Sequence, residues 1–244
     1  MTYCVGMLLD EGLVMAADTR TNAGLDSVGK FKKLHCWSNP GKAVFTLLTA
    51  GNLAVTQAVV SLLNEHTHSK NLKDPDNLFA AKTMFQAARI VGSAIRAVRK
   101  IDGEQLGARA DAFSASFIFG GQVGKEAPRL FQIYSEGNFI EATPDTPFFQ
   151  IGEHKYGKPI LDRVARADMK LGDAAKMVLV SFDSTLRSNL TVGLPIDMLT
   201  YEAGALKFEH TKRIGPDDPY FKMLSSEWSK ALRNAFSQIE AFDI

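Results

Sequence analysis

The stretch Thr2-Tyr-Cys-Val-Gly-Met-Leu-Leu-Asp10-Glu-Gly12-Leu-Val-Met-Ala-Ala17-Asp18 reads as one β-hairpin. β-prone residues run from Thr2 to Leu9, Asp10-Glu-Gly12 supplies the turn, and Leu13–Ala17 resumes the apolar pattern. Glycine suits such a turn because it accepts positive φ without a Cβ clash. The same device, an acidic-glycine turn between two apolar runs, recurs at Phe131–Glu141 and Met198–Phe208. Further strands are expected at Lys33–Trp37, Ala43–Thr49, Ala115–Phe119 and Phe148–Ile151.

Helical spacing fills the gaps. One helix is expected from Ala50 through the apolar run ending at Leu63, and a second from about Leu78 to Ile101. The polar connection 67–77, with Asp74-Pro75-Asp76, separates them. A second pair is expected at Lys158–Ala167 and Gly172–Asn189, and a last helix over about Tyr220–Phe242. Hairpin-joined strands alternating with paired helices imply two packed sheets, each covered by helices. No proline- or glycine-rich linker interrupts the order, so residues 1–244 are expected to form a single domain.

Composition narrows the function classes. Twenty-eight Lys and Arg stand against 27 Asp and Glu, spread along the chain with no basic stripe, so nucleic acid is not an expected partner. No apolar run approaches the roughly 20 residues of a membrane span, and no signal-type segment precedes Thr2; a cytoplasmic, membrane-free protein is expected. The two cysteines, Cys4 and Cys36, cannot build a disulfide framework and read as buried thiols. Gly120-Gly-Gln-Val-Gly124-Lys125 lacks one spacer of a phosphate loop and has Glu126 where Ser or Thr would bind magnesium, so it reads as a hairpin turn. His66-Thr-His68 reads as surface histidines in a polar connection, without acidic or cysteine partners at ligand spacing. No metal or organic cofactor is called for.

Chemistry concentrates at the start. Once Met1 is removed, Thr2 carries a hydroxyl nucleophile and a free amine on one carbon skeleton. An α-amine titrates near pH 8, so a fair fraction is neutral and can take the hydroxyl proton directly or through a water. Asp18 closes the hairpin's second strand, bringing a carboxylate back beside the terminus, and Lys32-Lys33-Leu34 opens the next strand. A lysine beside the nucleophile lowers the pKa of its amine and hydroxyl, and a carboxylate orients that lysine.

Thr2 at the mature terminus, Asp18 in Met-Ala-Ala-Asp-Thr-Arg, Lys33 in Lys-Lys-Leu and Gly51 in Thr-Ala-Gly resemble the proteasome β-subunit pattern. Met-Thr-Tyr-Cys-Val-Gly-Met and Ala-Ala-Asp-Thr-Arg-Thr-Asn-Ala-Gly are most similar to the bacterial Anbu family of proteasome homologues. The resemblance implies an α+β fold, the four-layer αββα sandwich of N-terminal-nucleophile hydrolases. It further implies Thr2 as nucleophile with its amine as base, Asp18 and Lys33 as the charged pair, and the Gly51 N–H as oxyanion donor. A helix opening at Gly51 would favour that last role, because unpaired N–H groups and the helix dipole attract developing negative charge.

Three positions depart from the family pattern. Glu153 stands where the family's Gly-Ser-Gly loop has serine, and Asn189 and Val192 stand where Asp-x-x-Ser-Gly has its aspartate and serine. A shifted alignment on Asp183-Ser184 is disfavoured by the apolar phase through Val178, Phe182 and Leu186. Glu153 and Asn189 are therefore candidate supporting residues. Thr21 and Thr49 align with the family's specificity pocket, with Asn22 beside them. The expected activity is threonine-dependent cleavage of peptide or protein substrates within a homo-oligomer, a ring or an open helical assembly. A small-amide hydrolase using the same centre, and an assembly protein with a degenerate site, are the alternatives. The sequence names no unfoldase partner.

Overall fold

The first hairpin forms as read. In the computed structural model, which describes residues 2–23, 27–69, 73–103 and 114–243, β1 spans Tyr3–Leu9 and β2 spans Gly12–Asp18. They pair antiparallel from Cys4↔Ala17 to Leu9↔Gly12. A small hairpin follows, β3 (Arg20–Ala23) and β4 (Ser27–Lys30), then β5 (Leu34–Asn39) and β6 (Ala43–Gly51). Helices α1 (Leu53–His68) and α2 (Met84–Asp102) come next. Strands β7 (Ala115–Val123), β8 (Arg129–Ile133), β9 (Phe139–Glu141) and β10 (Phe148–Gly152) precede α3 (Lys158–Val164) and α4 (Leu171–Ser188). The chain closes with β11 (Ile196–Glu202), β12 (His210–Ile214) and α5 (Pro219–Ser237).

The strands make two five-stranded antiparallel sheets, ordered β10-β1-β2-β11-β12 and β5-β6-β7-β8-β9. Cys4, Leu13, Met15, Leu48, Ile118 and Tyr201 fill the space between them. Val55, Val59 and Leu63 of α1 and Met84, Val91 and Ile95 of α2 pack on Phe45, Phe117 and Phe131 of the second sheet. On the first sheet, Val178 and Phe182 of α4 and Leu224 of α5 cover Val5, Met7 and Ala16. The layers are therefore α, β, β, α, as the sequence implied. β1 is buried on both faces, which is why it reads as a continuous apolar run and not as an alternation. Each fully buried apolar side chain contributes roughly 1.5–3 kcal/mol, against about 0–1 for an exposed ion pair such as Lys158–Asp162. Apolar burial between layers holds the sandwich.

Several expected boundaries shift. The strand returning from the 198–208 device starts at His210, beyond the positive-φ turn at Gly204 and Leu206. The second helix begins at Met84: the Asn77 side chain caps a 3₁₀ turn at Leu78–Ala80, and Thr83 then caps α2 by accepting from the Gln86 N–H. α3 stops at Val164 and α5 at Ser237. His66 and His68 lie in the last turn of α1, not in the polar connection. β3 and β4 are not legible in the pattern. The glycine-rich segment at 120–125, read as a hairpin turn, is the end of β7 through Val123, and only from Gly124, at φ +54°, does it enter the β7–β8 turn.

Candidate active site

Thr2 precedes β1, and the peptide group joining it to Tyr3 is gripped from both sides. The Tyr3 N–H donates to Asp18 Oδ1 at 3.0 Å, while the Thr2 carbonyl accepts from the Glu153 N–H at 2.6 Å. A trans peptide points its N–H and C=O in opposite directions, so these contacts fix its plane. Gly152 makes the second contact possible. Its φ is +83°, and a Cβ there would stand 2.1 Å from the Thr2 carbonyl oxygen. Farther along β1, the Tyr3 ring rests against Phe182 with centroids 4.6 Å apart, and its hydroxyl joins Ser181 and Gln150. The strand that carries Thr2 is thus anchored in the helical layer. Met1 lies outside the described residues.

Asp18 is the hub. It is fully buried at the end of β2, and besides Tyr3 it accepts from the Lys33 ammonium at 2.7 Å and the Gly193 N–H at 3.2 Å. Burial pushes the Asp18 carboxyl up, while the Lys33 ammonium and the two N–H donors pull against that push. Lys33, just before β5, also donates to the Arg20 carbonyl. Lys32 is exposed, in agreement with the register read from the sequence.

Gly51 needs one correction. It ends β6 and does not open α1, which starts at Leu53 with Asn52 as its cap, accepting from the Ala54 and Val55 N–H groups. The Asn52 N–H donates to Ser114 O and the Thr49 N–H to Lys33 O, at 2.7 and 3.0 Å. Alternation along a strand then turns the Gly51 N–H toward the Lys33 side. Glycine is required here too: φ is +105°, and a Cβ would lie 2.2 Å from the Ser114 carbonyl oxygen.

The two candidate supporting positions meet. Asn189 Nδ2 donates to Glu153 Oε2 at 2.6 Å, and both side chains are buried. The other carboxylate oxygen accepts the N–H groups of His154 and Lys155 at 2.9 and 2.8 Å. Burial alone would raise the Glu153 carboxyl. The hydrogen bonds from Lys155, Asn189 and His154 outweigh it and hold the group below its ordinary range. Val192 is buried in the helical-side core.

Beside the centre lies a cavity of about 290 Å³ bounded by Lys32, His35, Thr49, Leu53 and Gln57. Thr49, singled out in the sequence, lines it; His35 and Gln57 were not foreseen, since the first lies on β5 and the second a helical turn into α1. Burial, reinforced by Lys32, lowers the His35 pKa to about 4, so the imidazole is neutral at physiological pH. Thr21, the second residue of β3, has a buried hydroxyl without a hydrogen-bond partner among the described residues. The side chain of Asn22 lies outside the described residues.

The residues set aside in the sequence behave mostly as expected. Cys4 is buried, and burial drives its thiol well up, with Lys33 opposing, so it is a poor nucleophile. Cys36 is only partly buried. His66 differs from expectation. Its Nδ1 lies 2.7 Å from Asp74, and Asp76 brings a third ligand-type group within 4.8 Å. The loop folds these acids back onto α1, a contact no sequence spacing announces. The His66–Asp74 hydrogen bond and an Asx turn, the Asp76 N–H donating to Asp74, account for the arrangement. Among the described residues, no helix is long and apolar enough to cross a membrane.

The proteasome subunit family model matches residues 2–200. A comparison with curated protein sequences gives no match. Among solved structures, the Gly-1 mutant of Anbu from Hyphomicrobium sp. strain MC1 is 61% identical, with TM-score 0.92 and full coverage of both chains. Anbu from Yersinia bercovieri, described as an ancestral β-subunit, is 44% identical at TM-score 0.92, covering 99% of this chain and 100% of its own. The helical assembly of the Anbu complex from Pseudomonas aeruginosa is 42% identical at TM-score 0.92, covering 99% and 98%. With the fold, the element order and the charged pair at Asp18 and Lys33 all in place, the chain belongs to the proteasome subunit family and is an Anbu-like member of it.

Proposed function

We propose that this protein is an N-terminal threonine hydrolase that cleaves peptide bonds. The observation that carries this reading is the buried Lys33–Asp18 pair holding the N–H of the Thr2–Tyr3 peptide, which fixes a charged group beside the one residue that can carry both hydroxyl and amine. Thr2 Oγ attacks the scissile carbonyl carbon, and its proton passes to the Thr2 amine, directly or through a water. The Gly51 N–H, on the Lys33 side of β6, stabilises the oxyanion. Collapse of the tetrahedral intermediate breaks the C–N bond, and the leaving amine takes the proton, which leaves an ester on Thr2. Water activated by the Thr2 amine then hydrolyses that ester.

The adjoining cavity receives a substrate side chain. Its walls combine a neutral imidazole, an amide, a hydroxyl and an exposed ammonium at Lys32. Such a mixture favours no single charged side chain strongly, so slow cleavage is expected across a panel of short fluorogenic peptides. A strict requirement for one charged residue would contradict this account of the pocket, and no turnover by processed protein would contradict the hydrolase reading itself.

The protein works as an assembly of identical subunits, in line with the helical assembly of the related Pseudomonas aeruginosa complex. The surface supports this. Phe221 and Leu224 of α5 pack on the body, but the same face continues uncovered through Leu232 and Phe236, 51% and 78% exposed, and Ile239 just past the helix is 72% exposed. A repeated contact whose rotation does not close gives an open spiral and not a ring. The double substitution Leu232→Glu and Phe236→Glu is expected to convert large particles to small species in mass photometry. Unchanged particle mass would remove α5 from the interface, and a wild-type mass near the 26.7 kDa of one chain would sink the assembly claim.

A further inference from the structure

The hydrogen bonds around Thr2 close into a circuit. From the Thr2–Tyr3 peptide the path runs through Asp18 to the Gly193 N–H, back along the 189–193 turn to Asn189, across to Glu153, and from the Glu153 N–H to the Thr2 carbonyl. Two segments distant in sequence thus reach the same peptide, the residues after β10 directly through the Glu153 N–H, and those after α4 through Asp18, which accepts from both Gly193 and Tyr3. Among the described residues, the Asn189–Glu153 bond is the side-chain link that ties them together.

The polarity of that link is fully determined. Asn189 Oδ1 accepts from the Thr191 N–H at 3.0 Å and from the Thr191 hydroxyl at 2.6 Å, so Nδ2 must face Glu153. Glu153 Oε1 is committed to the His154 and Lys155 N–H groups, so Oε2 must accept from Asn189. Every atom of the pair therefore demands acceptors on the Glu153 side and one donor on the Asn189 side.

Resting on the proposed hydrolase reading, we propose that Glu153 is a positioning residue for Thr2, and that its carboxylate, latched by Asn189, replaces with a single buried charge the serine–aspartate support absent from this chain. Glu153 touches no reacting atom. It acts through the peptide bond behind the nucleophile, and a neutral or doubled charge at the latch loosens that peptide. Among the described residues, the charged and titratable groups around it are His154 and Lys155 on its own segment, the Asp18–Lys33 pair beyond the Thr2–Tyr3 peptide, and Arg20, whose guanidinium donates to the Leu190 carbonyl and lies against Gly193; the turn after α4 itself meets Glu153 with the neutral Asn189.

The hydrogen-bond logic makes opposite predictions for single and paired changes. Glu153→Gln is nearly isosteric, yet its amide must set NH₂ against either Asn189 Nδ2 or the backbone N–H groups of 154 and 155. Asn189→Asp sets two carboxylates at a separation that was 2.6 Å, where both cannot stay ionised. The double variant satisfies every atom again: the amide oxygen introduced by Glu153→Gln accepts from the backbone, and the new NH₂ donates to the carboxylate introduced by Asn189→Asp. The bond and the single charge are both kept, with the charge moved to the other segment.

The experiment is this double-mutant cycle on full-length protein, read in two ways. The first is thermal melting at pH 8 and pH 5. The second is the rate, across pH, at which a peptide vinyl sulfone labels Thr2 by forming an Oγ–C bond, its hydroxyl proton passing to the carbon next to the sulfone. Each single variant is expected to melt roughly 5 °C or more below wild type at pH 8, and to label about tenfold or more slowly. The Asn189→Asp deficit should shrink toward pH 5, because the carboxylate pair takes up a proton that relieves it. The double variant should recover to within about 2 °C and about threefold. Additive losses in the double variant, or single variants indistinguishable from wild type, would overturn the proposal. If melting shows the coupling but wild-type Thr2 takes no label at any pH, the hydrolase reading fails and the catalytic part of this proposal fails with it, while the structural latch stands.

Discussion

Thr2→Ala is expected to lower peptide hydrolysis by about 10³-fold or more, to the level of the uncatalysed background, because it removes the atom that forms the acyl intermediate. Fold and assembly should be unchanged. Thr2 is only partly buried, and its fixed contact in the structure is made by its backbone carbonyl, which alanine retains. A melting temperature within a degree or two of wild type, with unaltered particle mass, accompanies the loss. Substantial remaining activity would mean that another group performs the attack. Cys4 is not a substitute, since burial keeps its thiol protonated.

Lys33→Ala should be nearly as damaging to activity and much more damaging to stability. The ammonium is almost fully buried, 2.7 Å from a carboxylate with no solvent exposure, and also bonds to the Arg20 carbonyl. Removing it leaves Asp18 buried with, among the described residues, the N–H groups of Tyr3 and Gly193 alone, a change that costs about 3–5 kcal/mol for pairs of this kind. Lys32→Ala, one residue away on the exposed side, should stay within about 0.5 kcal/mol. Chemical denaturation of both variants, alongside peptide turnover, separates them. Equal losses would show that the charge beside Thr2 is not supplied by Lys33 in particular.

The same contrast explains what the sequence could reveal. Hairpin β1–β2 is legible because its information is local: two apolar runs and an acidic-glycine turn set the register, and that register places Asp18 beside the chain start. Lys33 follows from its place at the mouth of the next strand. The support of Thr2 from behind was legible only as two candidate positions, not as a contact. Glu153 and Asn189 lie 36 residues apart, and as single letters each reads as a departure from the family pattern. Only in space do they become one buried hydrogen bond. His66 and Asp74 teach a similar lesson, since a loop folding back on α1 leaves no periodic trace. Gly51 shows the opposite error. The apolar run from Ala50 looked helical, but the Asn52 cap begins the helix two residues later and leaves Gly51 in the strand. The uncovered face of α5 was visible as aromatic residues on a helix, and what pattern could not say was that the body ends before the helix does.

All of this turns on one chemical state, a processed chain whose first residue is Thr2 with a free amine. Intact-mass spectrometry of protein purified from cells, before and after incubation with the peptide vinyl sulfone, tests it most directly. The account predicts that Met1 is absent, that a single probe adds per subunit, and that fragmentation places it on Thr2. Protein that retains Met1 yet hydrolyses peptides, or a processed chain whose adduct lies on any other residue, would contradict it.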